Sequence, residues 1–127
     1  DFDIDKPGAD SFRHRQAGAT EVAIVSGRRW ALMHELRDEE EPPLAAILQR
    51  MAPADIVIVE GYKREAHRKI EARRREAKNR EPLSPSDPNI VAVAADSAQA
   101  GETLPVFDID DIAAITDFVE RDAGLVR

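Results

Sequence analysis

The strongest strand signal in the chain reads Asp55-Ile56-Val57-Ile58-Val59-Glu60-Gly61. Its four central residues are apolar and β-branched, which favours a strand that is buried within a sheet. Buried strands of this kind are typical of parallel sheets whose faces are covered by helices. The stretch therefore predicts an α/β fold.

Segments on both sides of this stretch alternate between strand and helix patterns. Residues 22–25 and 90–94 are continuous apolar runs, which predict two further strands buried on both faces. The other predicted elements are a helix over 11–17 capped by Asp10 or Ser11, an alternating strand over 30–36 where Leu, Met and Ala also allow a helix, a helix over 44–51, a strand over 104–107 and a last helix capped by Asp108 or Asp110. This order predicts one α/β domain over all 127 residues, with a mainly parallel sheet flanked by helices.

The composition excludes several classes of protein. With 18 Lys and Arg against 25 Asp and Glu, the chain carries a net charge of −7, and 43% of its residues are hydrophobic. It contains no cysteine, so a disulfide framework, a thiolate nucleophile and a cysteine-bound metal centre are excluded within it. No apolar run approaches the ~18 residues that a membrane span requires. We therefore expect a cytoplasmic domain with no membrane partner.

Glu60 and Gly61 end the predicted strand at the edge of a parallel sheet where ligands bind. An apolar strand followed by an acid and a glycine has the layout of a Walker B strand. In that layout the carboxylate reaches Mg²⁺, and the glycine lets a phosphate approach the backbone. An acid that merely ends a strand and caps the next helix explains the same pattern. Asp96 follows the 90–94 strand, at the position of the acid that reads the base in GTP-binding proteins.

Two further groups of charges leave alternatives open. Asp1, Asp3 and Asp5 alternate with apolar residues, so they share one strand face and suit either a Mg²⁺ site or a solvated edge strand. Residues 63–80 carry nine Lys and Arg, which could hold phosphates or nucleic acid. Glu side chains are interleaved among them, and no aromatic residue is present to stack on bases. We therefore expect a solvated helix or a loop there, and no nucleic-acid partner.

Four motifs follow one another along the chain. They are Asp1-Phe2-Asp3-Ile4-Asp5-Lys6-Pro7-Gly8-Ala9-Asp10-Ser11, then Arg15-Gln16-Ala17-Gly18-Ala19, then Arg28-Arg29-Trp30-Ala31-Leu32-Met33-His34-Glu35-Leu36, and Val59-Glu60-Gly61-Tyr62-Lys63. Together they resemble the MobB family, the molybdopterin-guanine dinucleotide biosynthesis adaptor proteins. The resemblance runs from residue 1 to the last predicted helix, and the ordered set is far more specific than any one motif.

The resemblance implies a dimeric P-loop GTP-binding protein with at most weak GTPase activity. Such a protein assists the guanylyltransferase that attaches GMP to molybdopterin. No Gly-x-x-x-x-Gly-Lys-[Ser/Thr] motif can be written with the six glycines of the chain. We therefore expect the C-terminal part of a P-loop NTPase-like domain, with the first strand–P-loop–helix unit missing and no activity of its own. The alternative is a non-catalytic scaffold or interaction domain that docks the guanylyltransferase without binding nucleotide.

The resemblance also assigns roles to residues of this chain. It makes Glu60 the Walker B acid and hence the catalytic residue, and it places Glu60 and Asp5 at a Mg²⁺ ion. The residues that it places around GTP are Asp3, Asp5, Lys6, Gly8, Asp10, Ser11, Arg15, Gly61, Lys63 and Asp96. The implied cofactors are GTP and Mg²⁺, and the implied partners are the guanylyltransferase and a second copy of the chain. The apolar face of the predicted strand over 30–36 agrees with such a homodimer.

Overall fold

A computed structural model describes residues 10–78 and 81–125 of the protein. The chain forms two compact units, and the boundary between them falls between Pro43 and Leu44. Within the described ranges, no helix is long and apolar enough to cross a membrane. The acidic strand expected at residues 1–5 lies outside the described residues, and the single domain over the whole chain stays a prediction.

The first unit contains helix α1, Asp10–Gln16, close to the range that its capping residues predict. Two hydrogen bonds close its last turn. The N–H of Ala19 donates to the carbonyl of His14 at 3.1 Å. The N–H of Gly18 donates to the carbonyl of Arg15, also at 3.1 Å. This motif requires a left-handed residue after the helix, and Gly18 supplies it with a φ of 111°.

An antiparallel hairpin follows α1 in the same unit. Strand β1, Glu21–Val25, pairs with strand β2, Trp30–His34. In the turn between them the N–H of Ser26 donates to the carbonyl of Arg29 at 2.9 Å. The strand predicted over 22–25 is therefore present, but the expectation that both of its faces are buried is wrong. The reason is that an antiparallel hairpin packs on one face only, so alternate residues of both strands stay exposed.

The exposed face of the hairpin carries large apolar side chains. Val25 is 76% exposed, its cross-strand neighbour Trp30 is 71% exposed, and Leu32 is 51% exposed. The residues between them face the other side and are half-buried. The half-buried strand predicted over 30–36 is thus confirmed, with its largest apolar side chains on the exposed face.

The second unit is built on a parallel sheet whose strands have the order β3-β4-β5. Strand β3 spans Lys69–Arg73, β4 spans Ile90–Ala95 and β5 spans Val106–Asp108. β4 lies in the centre of this sheet, and its Val93 is fully buried. The parallel sheet confirms the predicted fold class. β4 matches the strand predicted over 90–94, and β5 begins slightly later than predicted.

The strongest strand signal in the sequence does not form a strand. Residues 55–60 lie outside all strands of the described ranges, and Ile58 is 84% exposed. A strand forms only where its backbone N–H and C=O groups find a neighbouring strand, and no described strand pairs with this segment. The sheet edge belongs instead to β3, within the charged run where the sequence predicts a solvated helix or a loop. The strand expected over residues 55–60 is therefore absent, and the expectation of a solvated helix or loop is wrong for Lys69–Arg73, whereas residues 63–68 and 74–78 form a loop as expected.

The second unit also contains helical segments. Helix α2, Leu44–Leu48, is shorter than its apolar spacing predicts, and a single 3-10 turn spans Ser84–Ser86. Helix α3 spans Ile112–Asp122. The ring of Phe118 on α3 lies 5.3 Å from the ring of Phe107 on β5, measured between centroids. This aromatic contact packs α3 against the sheet, as the predicted flanking helix requires.

The cap of α3 differs from the prediction. The carboxylate of Asp111 accepts a hydrogen bond from the N–H of Ala114 at 3.1 Å and thereby caps the helix. The carboxylate of Asp108 instead accepts from the N–H of Asp110 at 2.9 Å, in the turn that leads into the helix. Neither of the two predicted capping residues therefore caps α3.

Candidate functional site

A sharp turn at residues 60–63 presents the acid of the predicted Walker B motif. Gly61 and Tyr62 have φ angles of 87° and 52°, so two consecutive residues are left-handed. A non-glycine residue in this conformation stores about 1–3 kcal/mol of strain, and such strain clusters at functional sites. The side chain of Glu60 is exposed at the start of this turn and makes no hydrogen bond or ion pair with any described residue.

The turn borders a cleft of about 570 Å³ in the second unit. Its lining comes from Val59, Glu60, Gly61 and Lys63, from β3 with the residues that follow it, and from residues 81–83. Clefts of about 300–1,000 Å³ are typical of sites for small organic ligands. Three predicted site residues, Glu60, Gly61 and Lys63, are therefore brought together at a cavity large enough for a cofactor-sized molecule.

A buried ion pair within β3 forms one side of the cleft. The Nη2 atom of Arg73 donates to the carboxylate of Glu71 at 3.0 Å and to that of Glu102 at 2.7 Å. Burial opposes the ionisation of Glu71, which is 7% exposed. Hydrogen bonds from Arg73 and from the backbone N–H groups of Leu83 and Ser84 nevertheless hold the pKa of Glu71 below its usual value. These contacts tie the loop after β3 to the strand.

A second pair neutralises the other end of β3. The Nζ of Lys69 lies 3.1 Å from the carboxylate of Asp87 and donates to the backbone carbonyls of Glu65 and His67. The backbone N–H of Asn89 and the Lys69 ammonium both lower the pKa of Asp87. Lys69 and Arg73 thus have structural partners, so neither is left over for an external anion.

Three cleft cations have no such partner. The side chains of Lys63, Arg74 and Arg75 make no ion pair or hydrogen bond with any described residue. Arg74 and Arg75 directly follow the carboxyl end of β3, which is the edge of a parallel sheet where ligands bind. In the sequence both arginines belong to a charged run that is expected to be solvated, and that pattern gives no sign of their place at the cleft. The alternation of apolar and charged residues within Lys69–Arg73 is the signal that could have found β3.

The remaining predicted site residues do not line this cleft. Both carboxylate oxygens of Asp96 accept from the backbone N–H of Arg75, at 3.0 and 3.2 Å, so Asp96 fixes the turn after β3. On α1, in the first unit, lie Asp10, Ser11 and Arg15. The Nε of Arg15 lies 3.4 Å from the carboxylate of Glu35. Outside the described residues lie Asp3, Asp5, Lys6 and Gly8.

The described ranges show no metal site that is built from protein side chains alone. They contain no group of three His, Asp or Glu side chains arranged to hold a metal ion. Mg²⁺ is usually bound through one or two carboxylates together with water and substrate phosphates, so it does not need a cage made of protein. The exposed Glu60 carboxylate can therefore supply one oxygen ligand to a Mg²⁺ ion that arrives with a phosphate ligand.

Comparison with known proteins gives consistent matches. Residues 1–96 match the family described as MobB, molybdopterin guanine dinucleotide synthesis protein B. The chain is 40% identical over 121 residues to the molybdopterin-guanine dinucleotide biosynthesis adapter protein of Escherichia coli (strain K12), covering 94% of this chain and 69% of that protein. It is 34% identical over 119 residues to the protein of the same name from Haemophilus influenzae, covering 93% of this chain and 65% of that protein. The chain thus spans about two thirds of the length of these curated relatives.

Proposed function

Because this chain belongs to the MobB family, we propose that it is a GTP-binding accessory protein in the cytoplasmic biosynthesis of the molybdenum cofactor. In this role it assists the guanylyltransferase that attaches GMP to molybdopterin. The relatives named as adapter proteins of molybdopterin-guanine dinucleotide biosynthesis support the pathway. The relatives are named adapter proteins, which supports the proposal that this protein acts together with a partner enzyme.

The observation that carries nucleotide binding is the unpartnered Glu60 carboxylate at the strained turn beside the cleft. Glu60 would supply one oxygen ligand to Mg²⁺, and a bound Mg²⁺ would neutralise charge on the GTP phosphates. A Cβ built on Gly61 meets no atom within 4 Å, so the backbone is open to an approaching phosphate. Lys63 adds a positive charge on the same turn.

The test of this function is a titration with fluorescent GTP in the presence of Mg²⁺, with ATP as the competing control. Saturable binding that prefers GTP and requires Mg²⁺ is the expected result for the full-length protein. A guanylyltransferase that binds the protein while GTP does not would favour the scaffold alternative instead.

We expect Glu60→Gln in the full-length protein to reduce Mg²⁺-dependent GTP hydrolysis by roughly tenfold or more, with a smaller effect on GTP affinity. The reason is that the substitution removes the carboxylate charge that positions the metal but keeps the shape of the side chain. Glu76→Gln, which changes an exposed acid that does not line the cleft, is the matched control. Equal hydrolysis rates for Glu60→Gln and the unmodified protein would contradict the Walker B assignment.

The exposed hairpin face supports the proposed homodimer. Val25, Trp30 and Leu32 form an apolar surface, of the kind that marks an interaction site. One end of the hairpin is basic because the turn carries Arg28 and Arg29. The other end is acidic, because the carboxylates of Glu21 and Glu39 lie there. Both form hydrogen bonds with the ring of His34, and these contacts raise the pKa of His34. Two hairpins packed in opposite directions would place basic ends against acidic ends around a two-fold axis.

We therefore expect Leu32→Glu to convert the dimer to a monomer at micromolar concentration, because each two-fold interface would bury two unpaired carboxylates. Ile112→Glu is the matched control, since Ile112 is also exposed and apolar but lies on α3. Light scattering gives the mass of both variants. A monomeric unmodified protein, or a dimer that survives Leu32→Glu, would count against the hairpin interface.

A further inference from the structure

The strained turn at residues 60–63 is not held by strand pairing on its N-terminal side. Tyr62 is left-handed, with a φ of 52°, and a residue strained in this way keeps its conformation only when the surrounding structure fixes it. No described strand pairs with residues 55–60, which lead into the turn. Contacts that can fix the turn lie in the segment that follows it, residues 64–69.

A chain of hydrogen bonds connects this turn to the sheet. The backbone N–H of Glu65 donates to the carbonyl of Tyr62 at 3.1 Å. The carbonyl of Glu65 in turn accepts a hydrogen bond from the Nζ of Lys69, the first residue of β3. The same ammonium donates to the carbonyl of His67 at 3.1 Å and lies 3.1 Å from the carboxylate of Asp87. An ammonium has three N–H donors, so these three acceptors account for all of them.

The far end of this chain is anchored at the entry to β4. The carboxylate of Asp87 accepts from the backbone N–H of Asn89 at 2.9 Å. The carbonyl of Asn89 accepts from the backbone N–H of Lys69, also at 2.9 Å. The side chains of Lys69 and Asp87 are only 13% and 22% exposed, so salt screens this ion pair less than a surface pair. Lys69 therefore joins the segment after the turn to a fixed part of the sheet.

The side chain of Glu65 provides a second anchor. Its carboxylate accepts a hydrogen bond from the N–H of Leu44 at 3.1 Å. Leu44 is the first residue of α2 and is 8% exposed. The first N–H groups of a helix have no partner within the helix, and leaving one of them buried and unpaired is unfavourable. Glu65 is thus held through its N–H, its carbonyl and its carboxylate.

We propose that Lys69 and Glu65 are positioning residues, which hold the turn from which the Glu60 carboxylate reaches the Mg²⁺ ion of the proposed GTP site. The inference rests on the proposed function for the identity of the ion and of the nucleotide. Lys69 acts through the backbone, because its three donors are already in use. Groups that orient a metal ligand commonly affect metal affinity almost as strongly as the ligand itself.

The first test is amide hydrogen exchange of the Leu44 N–H, followed by NMR in the full-length protein without nucleotide. We expect Lys69→Gln to speed this exchange by roughly tenfold or more, because the effect of Lys69 reaches Leu44 through Glu65. Exchange of the Val93 N–H, in the centre of the sheet, should change by less than about twofold. Lys78→Gln removes the same charge from an exposed residue outside the cleft and is the matched control.

The second test measures the Mg²⁺ concentration that gives half-maximal GTP hydrolysis. We expect Lys69→Gln to raise this concentration roughly tenfold, with the GTP affinity in EDTA unchanged within about twofold. A smaller amount of folded protein would lower the rate at every Mg²⁺ concentration without moving the midpoint. Lys69→Arg keeps the charge and several donors, so it should restore most of the response to Mg²⁺.

Glu65→Ala keeps the test independent of whether Lys69→Gln folds, because it leaves the ion pair of Lys69 and Asp87 in place. We expect it to raise the Mg²⁺ midpoint by roughly threefold or more. Glu76→Ala removes the same charge from an exposed acid outside the cleft and should leave the midpoint unchanged.

The two tests separate this inference from the proposed function. Unchanged exchange of the Leu44 N–H in Lys69→Gln would overturn the inference, and so would a Mg²⁺ midpoint that neither variant moves. A loss of GTP affinity in EDTA would also overturn it, because Lys69 would then contact the nucleotide directly. If the unmodified protein binds no GTP, the proposed function fails, and the exchange result alone decides whether these residues hold the turn.

Discussion

Arg73→Met is expected to lower the free energy of unfolding by about 3–5 kcal/mol, because it leaves a buried carboxylate without its cation. Glu71 is 7% exposed, and the guanidinium of Arg73 lies 3.0 Å from its carboxylate. The same guanidinium donates to Ser84 at 2.9 Å and to Gln99 at 3.1 Å, so its removal also releases the loops around β3. Methionine fills much of the volume of arginine, so the expected loss reflects charge rather than a cavity.

The measurement is urea unfolding followed by far-UV circular dichroism. Arg74→Met is the matched control, because Arg74 is the next residue, is exposed and has no partner among the described side chains. We expect the control to change the free energy of unfolding by less than about 0.5 kcal/mol. If both variants lose the same stability, the ion pair of Arg73 is not what holds this part of the unit together.

The cost of Arg73→Met is expected to shrink as the pH falls. In the unmodified protein the folded-state pKa of Glu71 is depressed. Its contribution is therefore fully present above the ordinary carboxyl pKa and is lost as the pH falls through the depressed value. In the variant, burial without a cation raises the pKa of Glu71, so protonation relieves the unpaired charge at a higher pH. As the pH falls, the unmodified protein therefore loses stability and the variant regains some. Both changes reduce the difference in stability between the two proteins in acid.

The expected result is a stability gap of about 3–5 kcal/mol at pH 7 that falls by half or more near pH 3.5. Urea midpoints and slopes measured at both pH values give the gap. Arg68→Met provides a comparison, because Arg68 pairs with Asp122 in a far more exposed position. A gap for Arg73→Met that stays constant between the two pH values would show that Glu71 does not carry the effect.

Local sequence pattern is sufficient to predict a helix or strand whose formation depends little on contacts with the rest of the chain. Helix α1 ends at Gln16, two residues before Gly18, because only glycine takes the left-handed conformation that closes the helix without strain. The sequence predicts the central strand β4 because an uninterrupted apolar run such as residues 90–94 has few alternatives to burial in a sheet. The family itself was recognisable from four short motifs, and residues 1–96 match it.

Sequence pattern does not predict the strands correctly where backbone pairing with a neighbouring strand decides whether a strand forms. Residues 55–60 have the strongest strand propensity, yet no described strand pairs with them, and propensity cannot supply a hydrogen-bonded neighbour. β3 forms in a run of charges because Glu71 and Arg73 neutralise each other on one face of the strand, while Arg73 also pairs with Glu102 and Glu71 holds the loop at Leu83. Such compensation depends on residues far apart in the chain, so composition alone makes the run look solvated.

The same division holds for the candidate site. The residue types and spacing of Glu60, Gly61 and Lys63 are read directly from the chain, since an acid, a glycine and a cation that follow an apolar run are a local motif. Their place at a cleft, beside arginines that follow β3, depends on how the chain folds back after residue 63. A cation can bind a ligand only if it is not already in an ion pair. Its ion-pair partners are the side chains that lie near it in the folded structure. For that reason only the folded structure separates Arg74 and Arg75 from Lys69 and Arg73.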